Sequence, residues 1–394
     1  MEIKFANRMA NLKASEIREF LKLTENKEII SFAGGLPAPE LFPIEDIKAA
    51  NNKVLDEQGQ VALQYATTEG YLPLRKWIAE RMKKRFDLNY EPDEILITNG
   101  SQQALDFTGK VFLNEGDVVL CESPTYLAAI SAFKAYECKF IEVPTDDNGM
   151  VIEELEKILN TTENVKIIYA IPDFQNPTGR CWSLERRKAL AEISEKHGVV
   201  VLEDNPYGEL RFEGEHLPAI KSFDKCGNIM FTSTFSKIFC PGYRIGFIAA
   251  NKEIIQKYVF VKQGADLQCN TLAQMEVAKY LEMFDIDEHI EKIKVVYKKR
   301  RDLAVKVMEE NFPQGVKYSK VQGGLFTWVT LPEHISARDL LKKCIERNVA
   351  YVPGGSFFPC GGNENTFRVN FSNMPEEKIE KGLKIIAEVI KELV

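Results

Sequence analysis

Between about residues 90 and 250, apolar runs alternate with stretches of helical spacing. The runs at 95–98, 118–122, 138–143, 165–171, 199–202, 229–234 and 245–249 are mostly continuous Val, Ile and Leu. Strands of that composition are buried on both faces. The segments 102–112, 184–196 and, more weakly, 152–159 repeat apolar residues every three or four positions, as helices lying on a sheet do. The pattern predicts an α/β fold with a mainly parallel seven-stranded sheet sandwiched by helices. The last run follows its predecessor after a short Pro241-Gly242 turn, so it is expected to run antiparallel. Beyond residue 283 the texture changes to a long charged helix over 286–311, short strands around 324–331 and 367–371, and a closing helix. This predicts a large domain over 50–282 and a smaller α+β domain made of 1–49 and 283–394.

Bulk properties narrow the classes of function. A chain of 394 residues is long enough for two domains. Its net charge of −7 argues against nucleic acid or an anionic membrane as partner. No apolar run approaches the roughly 18 residues that cross a bilayer, and residues 1–8 lack the apolar core of a signal peptide. Eight cysteines form no CxxC pair, and the four histidines stand apart in sequence. Little is left for a zinc site, a disulfide framework or a histidine triad, so no metal is expected. A cytoplasmic, reduced location is expected.

In open α/β sheets, ligands gather beyond the carboxyl ends of the strands. Asn99-Gly100-Ser101-Gln102 follows the first run as a turn opening a helix, which suits a phosphate; taken alone, Ser101 reads first as a plain N-cap. Tyr126 follows the second run, and Asn176-Pro177-Thr178-Gly179 the fourth. Glu203-Asp204 closes the fifth run, where two carboxylates need partners; Asp204 singly also suits a structural ion pair. Lys237 ends the apolar run 229–236 and is followed by Pro241-Gly242-Tyr243-Arg244. Such a lysine either snorkels to water or is held neutral. A lysine of depressed pKa is a nucleophilic amine that forms Schiff bases with carbonyls. Phosphate turn, aromatic, amide, carboxylate and lysine together are what a flat, phosphorylated aldehyde would require.

The run Thr234-Phe235-Ser236-Lys237-Ile238-Phe239-Cys240-Pro241-Gly242-Tyr243-Arg244-Ile245-Gly246 resembles the lysine motif of class I/II pyridoxal-phosphate aminotransferases. Asn176-Pro177-Thr178-Gly179 and Asp204-x-x-Tyr207 match that family in order and spacing. Gly34-Gly35-Leu36-Pro37 and Gln64-Tyr65 resemble its 2-aminoadipate/kynurenine aminotransferase-like branch. The resemblance implies fold type I, pyridoxal 5'-phosphate as cofactor, small-molecule amino acid and 2-oxo acid substrates, and a homodimer with shared active sites. It implies that Lys237 holds the cofactor covalently and, once freed, shuttles a proton. Asp204 would pair with the pyridine nitrogen, Asn176 and Tyr207 with the ring oxygen, and Tyr126 would stack on the ring. Ser101, Gln102, Thr234, Ser236 and Arg244 would cradle the phosphate, joined by Tyr65 from the partner subunit. Arg368, on the polar side of an alternating strand, would take the substrate α-carboxylate, with Asn176 and Gly35 also at the substrate.

The expected reaction moves an amino group between an L-amino acid (glutamate, 2-aminoadipate, aromatic or branched) and a 2-oxo acid such as 2-oxoglutarate. Motifs that bind the cofactor do not choose the bond that is cleaved, so a lyase or decarboxylase on the same fold is the alternative. An aminotransferase-like regulator would carry a basic winged-helix domain, for which residues 1–30 are expected to be too short. Arg18 flanks the apolar face of a short helical pattern at 14–21. In the resembling branch such a helix covers the active site, which implies that Arg18 meets a distal substrate carboxylate.

Overall fold

The computed structural model describes residues 3–11 and 28–393. In chain order its strands are β1 (Ile30–Ser31), β2 (Ile95–Asn99), β3 (Val118–Ser123), β4 (Lys139–Asp146), β5 (Gly149–Met150), β6 (Val165–Ala170), β7 (Val200–Asp204), β8 (Ile229–Thr234), β9 (Ile245–Ala249), β10 (Lys317–Tyr318), β11 (Phe326–Thr330), β12 (Val349–Ala350), β13 (Val352–Pro353) and β14 (Thr366–Asn370). The large sheet has the order β2-β9-β8-β7-β6-β3-β4-β5. Neighbours from β4 through β3, β6 and β7 to β8 are parallel, and β9 runs antiparallel to both β8 and β2.

The continuous apolar runs have a simple cause. Successive side chains of a strand point to opposite faces, and both faces of this sheet are covered. Val119, Ile167, Leu202 and Met230 pack with Ala104, Leu105 and Phe133 of one helical layer. Their neighbours Leu120, Ile168, Val201 and Ile229 pack with Leu155, Trp182 and Leu190 on the other side. Helices Ser101–Phe112, Ile152–Thr161 and Leu184–His197 lie within a residue or two of the predicted segments, and Ile286–Asn311 coincides with its prediction. The sheet has eight strands rather than seven. The extra one, β5, is a two-residue edge strand paired antiparallel with β4 across the Asp147-Asn148 turn, too short to leave a pattern in the sequence.

A second sheet, β10-β11-β14-β13, is antiparallel throughout. Helices Ile286–Asn311 and Glu376–Lys391 pack together beside it. The N-terminal segment joins this part through parallel pairing of β1 with β12. Among the described residues, no helix is long and apolar enough to cross a membrane.

Candidate active site

The carboxyl ends of β2, β3, β6, β7 and β8 open on one cavity of about 350 Å³, closed from the opposite side by Gly35–Pro37 backbone and by Arg368 of β14. Of the residues predicted for the site, all those among the described residues line it except Tyr65.

At one end lies the turn before helix Ser101–Phe112. Gly100 has φ +70°, and a Cβ there would strike the Arg244 guanidinium. A Cβ on Gly246 would fall 2.6 Å from the Ser101 nitrogen. Only glycines let Arg244 and the helix start approach this closely. Arg244 reaches Ser236 Oγ at 3.5 Å, and Thr234 Oγ1 donates to Ser236 Oγ at 2.9 Å. Hydroxyls, a guanidinium and free helix-terminal N–H groups thus converge, the chemistry of an oxyanion or phosphate cradle. Gln102 turns its amide to the Ala128 carbonyl (3.2 Å), bracing helix Leu127–Lys134 against its own helix.

At the opposite end Asp204 is buried with one oxygen satisfied: Tyr169 Oη donates to Oδ2 at 2.7 Å. Oδ1 has no hydrogen-bond partner among the described residues. Burial pushes this carboxyl up to about 7, against the opposing effect of the Tyr169 bond. Its neighbour Glu203, on the other face of the strand, accepts from the backbone N–H groups of Ile220 (3.0 Å) and Lys221 (2.8 Å) and lies outside the cavity. An orphaned carboxylate oxygen facing a cavity calls for a cationic N–H.

Between these ends Lys237 Nζ donates to the Gly35 carbonyl at 2.7 Å. The side chain is half-buried and lines the cavity. Burial first, then the positive charges of Arg368 and Arg244, push its pKa down to about 8, which leaves a substantial neutral, nucleophilic fraction near neutral pH. Asn176 Nδ2 meets Tyr207 Oη at 3.4 Å, and Tyr207 sits edge-on to Phe326. Tyr126, the N-cap of helix Leu127–Lys134, lines the cavity wall.

Arg368 is not the half-solvated arginine that alternation in its strand suggests. It is 1% exposed, with its guanidinium 4.2 Å from the ring centre of Phe326 and 5.1 Å from that of Phe357. It donates to Asn176 Oδ1 (2.7 Å) and to the Ala33 carbonyl (2.6 Å). No carboxylate pairs with it among the described residues, and its Nε has no partner there. Burial lowers its pKa to about 10. Four successive carbonyls of the N-terminal segment are held by side chains: Ala33 by Arg368, Gly34 by Asn370, Gly35 by Lys237 and Leu36 by Ser372.

Tyr65 lies apart from this cavity, 79% exposed on the surface beside Gln268 and Thr271. Arg18 and the segment 14–21 lie outside the described residues. Sequence reasoning missed Tyr169, which reads as one more core aromatic in an apolar run, and the two phenylalanines enclosing Arg368. Nothing in a single sequence separates these from ordinary core residues.

The donors present fit pyridoxal 5'-phosphate: a lone carboxylate oxygen for the pyridine N–H, a phosphate cradle, and a lysine of lowered pKa between them. A family model described as aminotransferase class I and II matches residues 27–386. The chain is 48% identical over 392 residues to aromatic-amino-acid aminotransferase 1 of Thermococcus litoralis, covering 98% of this chain and 94% of that one. It superposes with TM-score 0.95 on Pyrococcus horikoshii kynurenine aminotransferase in complex with PMP, at 43% identity and covering 99% and 97% of the two chains. The alpha-aminoadipate aminotransferase of Thermus thermophilus, complexed with N-(5'-phosphopyridoxyl)-L-leucine, gives 0.92, 40% identity, and 99% and 97% coverage. The fold is that of a pyridoxal-phosphate enzyme of fold type I. The chain belongs to the class I and II aminotransferase family. It is an aminotransferase whose cofactor is pyridoxal 5'-phosphate.

Proposed function

We propose that the enzyme exchanges an amino group between 2-oxoglutarate/glutamate and 2-aminoadipate, aromatic or branched amino acids. The observation that carries this reading is Arg368, a buried cation with no acid beside it among the described residues, facing the same cavity as Lys237. An amino acid brings the missing carboxylate and the amine on one carbon. The relatives named for aromatic, kynurenine and alpha-aminoadipate substrates support the breadth of donors.

Bound pyridoxal 5'-phosphate supplies an aldehyde to receive the amino group and an electron sink for charge developing at the substrate Cα. The chain's own residues do the rest. Lys237 would anchor the cofactor and move the proton at the substrate Cα. Asp204 would accept the pyridine N–H and keep the ring protonated. Asn176 and Tyr207 would donate to the ring oxygen, Tyr126 would cover the ring face, and Ser101, Gln102, Thr234, Ser236 and Arg244 would hold the phosphate. Arg368, assisted by Asn176 and the Gly35 backbone, orients the α-carboxylate. The proposal includes a cytoplasmic homodimer in which Tyr65 completes the partner's phosphate cradle, a position its exposure supports. It also includes division into a large domain over 50–282 and a smaller one from 1–49 and 283–394, supported by the separation of the eight-stranded sheet from the four-stranded one and the β1-β12 pair.

Borohydride reduction of the loaded enzyme followed by peptide mapping is expected to tag Lys237; a tag on another lysine defeats the assignment. A panel of amino donors, assayed with 2-oxoglutarate and with pyruvate, tests the substrate range. Turnover that releases carbon dioxide, or ammonia without amination of the acceptor 2-oxo acid, would favour the decarboxylase or lyase alternative.

A further inference from the structure

Behind the Asn99-Gly100-Ser101 turn lies a polar group that no step above uses. Helix Lys252–Ala265 buries Ile255, Tyr258 and Val259 along one stripe, and the next position of that stripe is Lys262, which is fully buried. A lysine at a core position of an amphipathic helix requires a specific partner. Its amine donates to both carboxylate oxygens of Asp266 (2.9 and 3.0 Å) and to Gln103 Oε1 (2.8 Å). Asp266 Oδ2 accepts further bonds from Asn99 Nδ2 (2.6 Å) and Gln103 Nε2 (2.7 Å). Gln103 Oε1 also accepts the backbone N–H of Asn99 at 3.0 Å. Asn99 is therefore fixed through both main chain and side chain, by groups that the ion pair orients. Its carbonyl in turn receives Arg244 Nη2 at 3.5 Å, and Ser101 begins the helix two residues later.

We propose that Lys262 and Asp266 are positioning residues for the phosphate end of the site: through Gln103 and Asn99 they fix the N–H groups at the start of helix Ser101–Phe112 and the guanidinium of Arg244. The inference rests on the reading of that turn as the phosphate cradle. A pair that served only to cap its helix would be replaceable by apolar side chains at little cost in stability and none in function. A positioning pair instead acts on one part of one ligand. Its loss is felt by a phosphorylated ligand and ignored by pyridoxal, which lacks the phosphate.

The test uses cofactor-free full-length protein carrying Lys262→Met or Asp266→Asn, with Arg244→Met as reference. Affinities are measured for pyridoxal 5'-phosphate, for pyridoxal, and for inorganic phosphate as competitor. Both variants are expected to bind pyridoxal 5'-phosphate and inorganic phosphate about tenfold more weakly, the size of one lost hydrogen bond to a charged group. Pyridoxal affinity is expected to stay within about twofold. Parallel weakening of pyridoxal and its phosphate would show general loosening and overturn the inference, as would no change in either. Lost phosphate discrimination in Arg244→Met alone sinks the inference and spares the cradle; retained discrimination in Arg244→Met sinks the cradle itself. Should Lys262→Met fail to fold, the isosteric Asp266→Asn, at a side chain 26% exposed, decides.

Discussion

At the scale of single residues, the site works by holding ionisable groups away from their ordinary protonation. Lys237, ordinarily near 10.5, sits at about 8 because it is buried and faces Arg368 and Arg244. Only the neutral amine attacks a carbonyl, so capture of pyridoxal 5'-phosphate by cofactor-free enzyme is expected to rise through a midpoint near pH 8. Arg368→Met removes a repelling charge and should move that midpoint upward; a midpoint that stays or falls would show that Lys237 does not sense Arg368. Asp204 is displaced in the opposite sense, from 3.8 to about 7. In that window the folded protein holds a proton that the unfolded chain has released, so this group lowers stability progressively as pH rises from about 4 to 7. Its full effect above pH 7 is at most a few kcal/mol. Asp204→Asn keeps the shape and removes the charge. The cofactor-free variant should therefore melt higher than wild type at pH 8, while turnover of the loaded enzyme drops by roughly 10²–10³-fold. A lower melting temperature together with retained turnover would contradict both halves of the argument. Arg18→Gln, in the segment beyond the described residues, is expected to raise KM for dicarboxylic substrates and to spare leucine and phenylalanine; equal effects on both kinds would leave Arg18 a merely structural role.

At the scale of elements, the backbone places the site. Gly100 combines a left-handed φ with contact against Arg244. Gly100, at φ 70° and ψ 168°, adopts a conformation almost confined to glycine, so Gly100→Ala costs on the order of 1–3 kcal/mol in backbone strain and pushes Arg244 off the turn. Faster loss of cofactor on dilution, followed by fluorescence, is the expected outcome; unchanged retention would mean that the turn does not hold the phosphate. The strands that carry the site were legible because burial on both faces leaves unbroken apolar runs, and β8 and β9 begin and end where the pattern put them. The antiparallel course of β9 followed from the shortness of the Pro241-Gly242 connection. Arg368 was legible as a candidate site residue only through resemblance. Its burial depends on Phe326 and Phe357, which arrive from two separate segments of the chain. Tyr169 was not legible at all, since its role depends on which strand lies beside β6 and on where Asp204 points.

At the scale of the whole molecule, Tyr65 stands on the outside of its own subunit, near exposed Val61, Leu63 and Leu267. If it completes a partner's site, a Tyr65→Phe chain mixed with a Lys237→Ala chain should regain activity, because one site of each hybrid then has every part. Light scattering that finds a fully active monomer would end that reading. The enclosure of Arg368 has a further consequence for the order of events. Two aromatic rings and two neutral oxygens surround the guanidinium, and none of them balances its charge. If Arg368 takes the substrate carboxylate as proposed, the resting enzyme is expected to act as an anion trap before any amine is exchanged. Plain carboxylic acids, unable to react, should then settle there and raise its melting temperature, the mark of a protein that recognises the acid half of its substrate independently of the half it transforms.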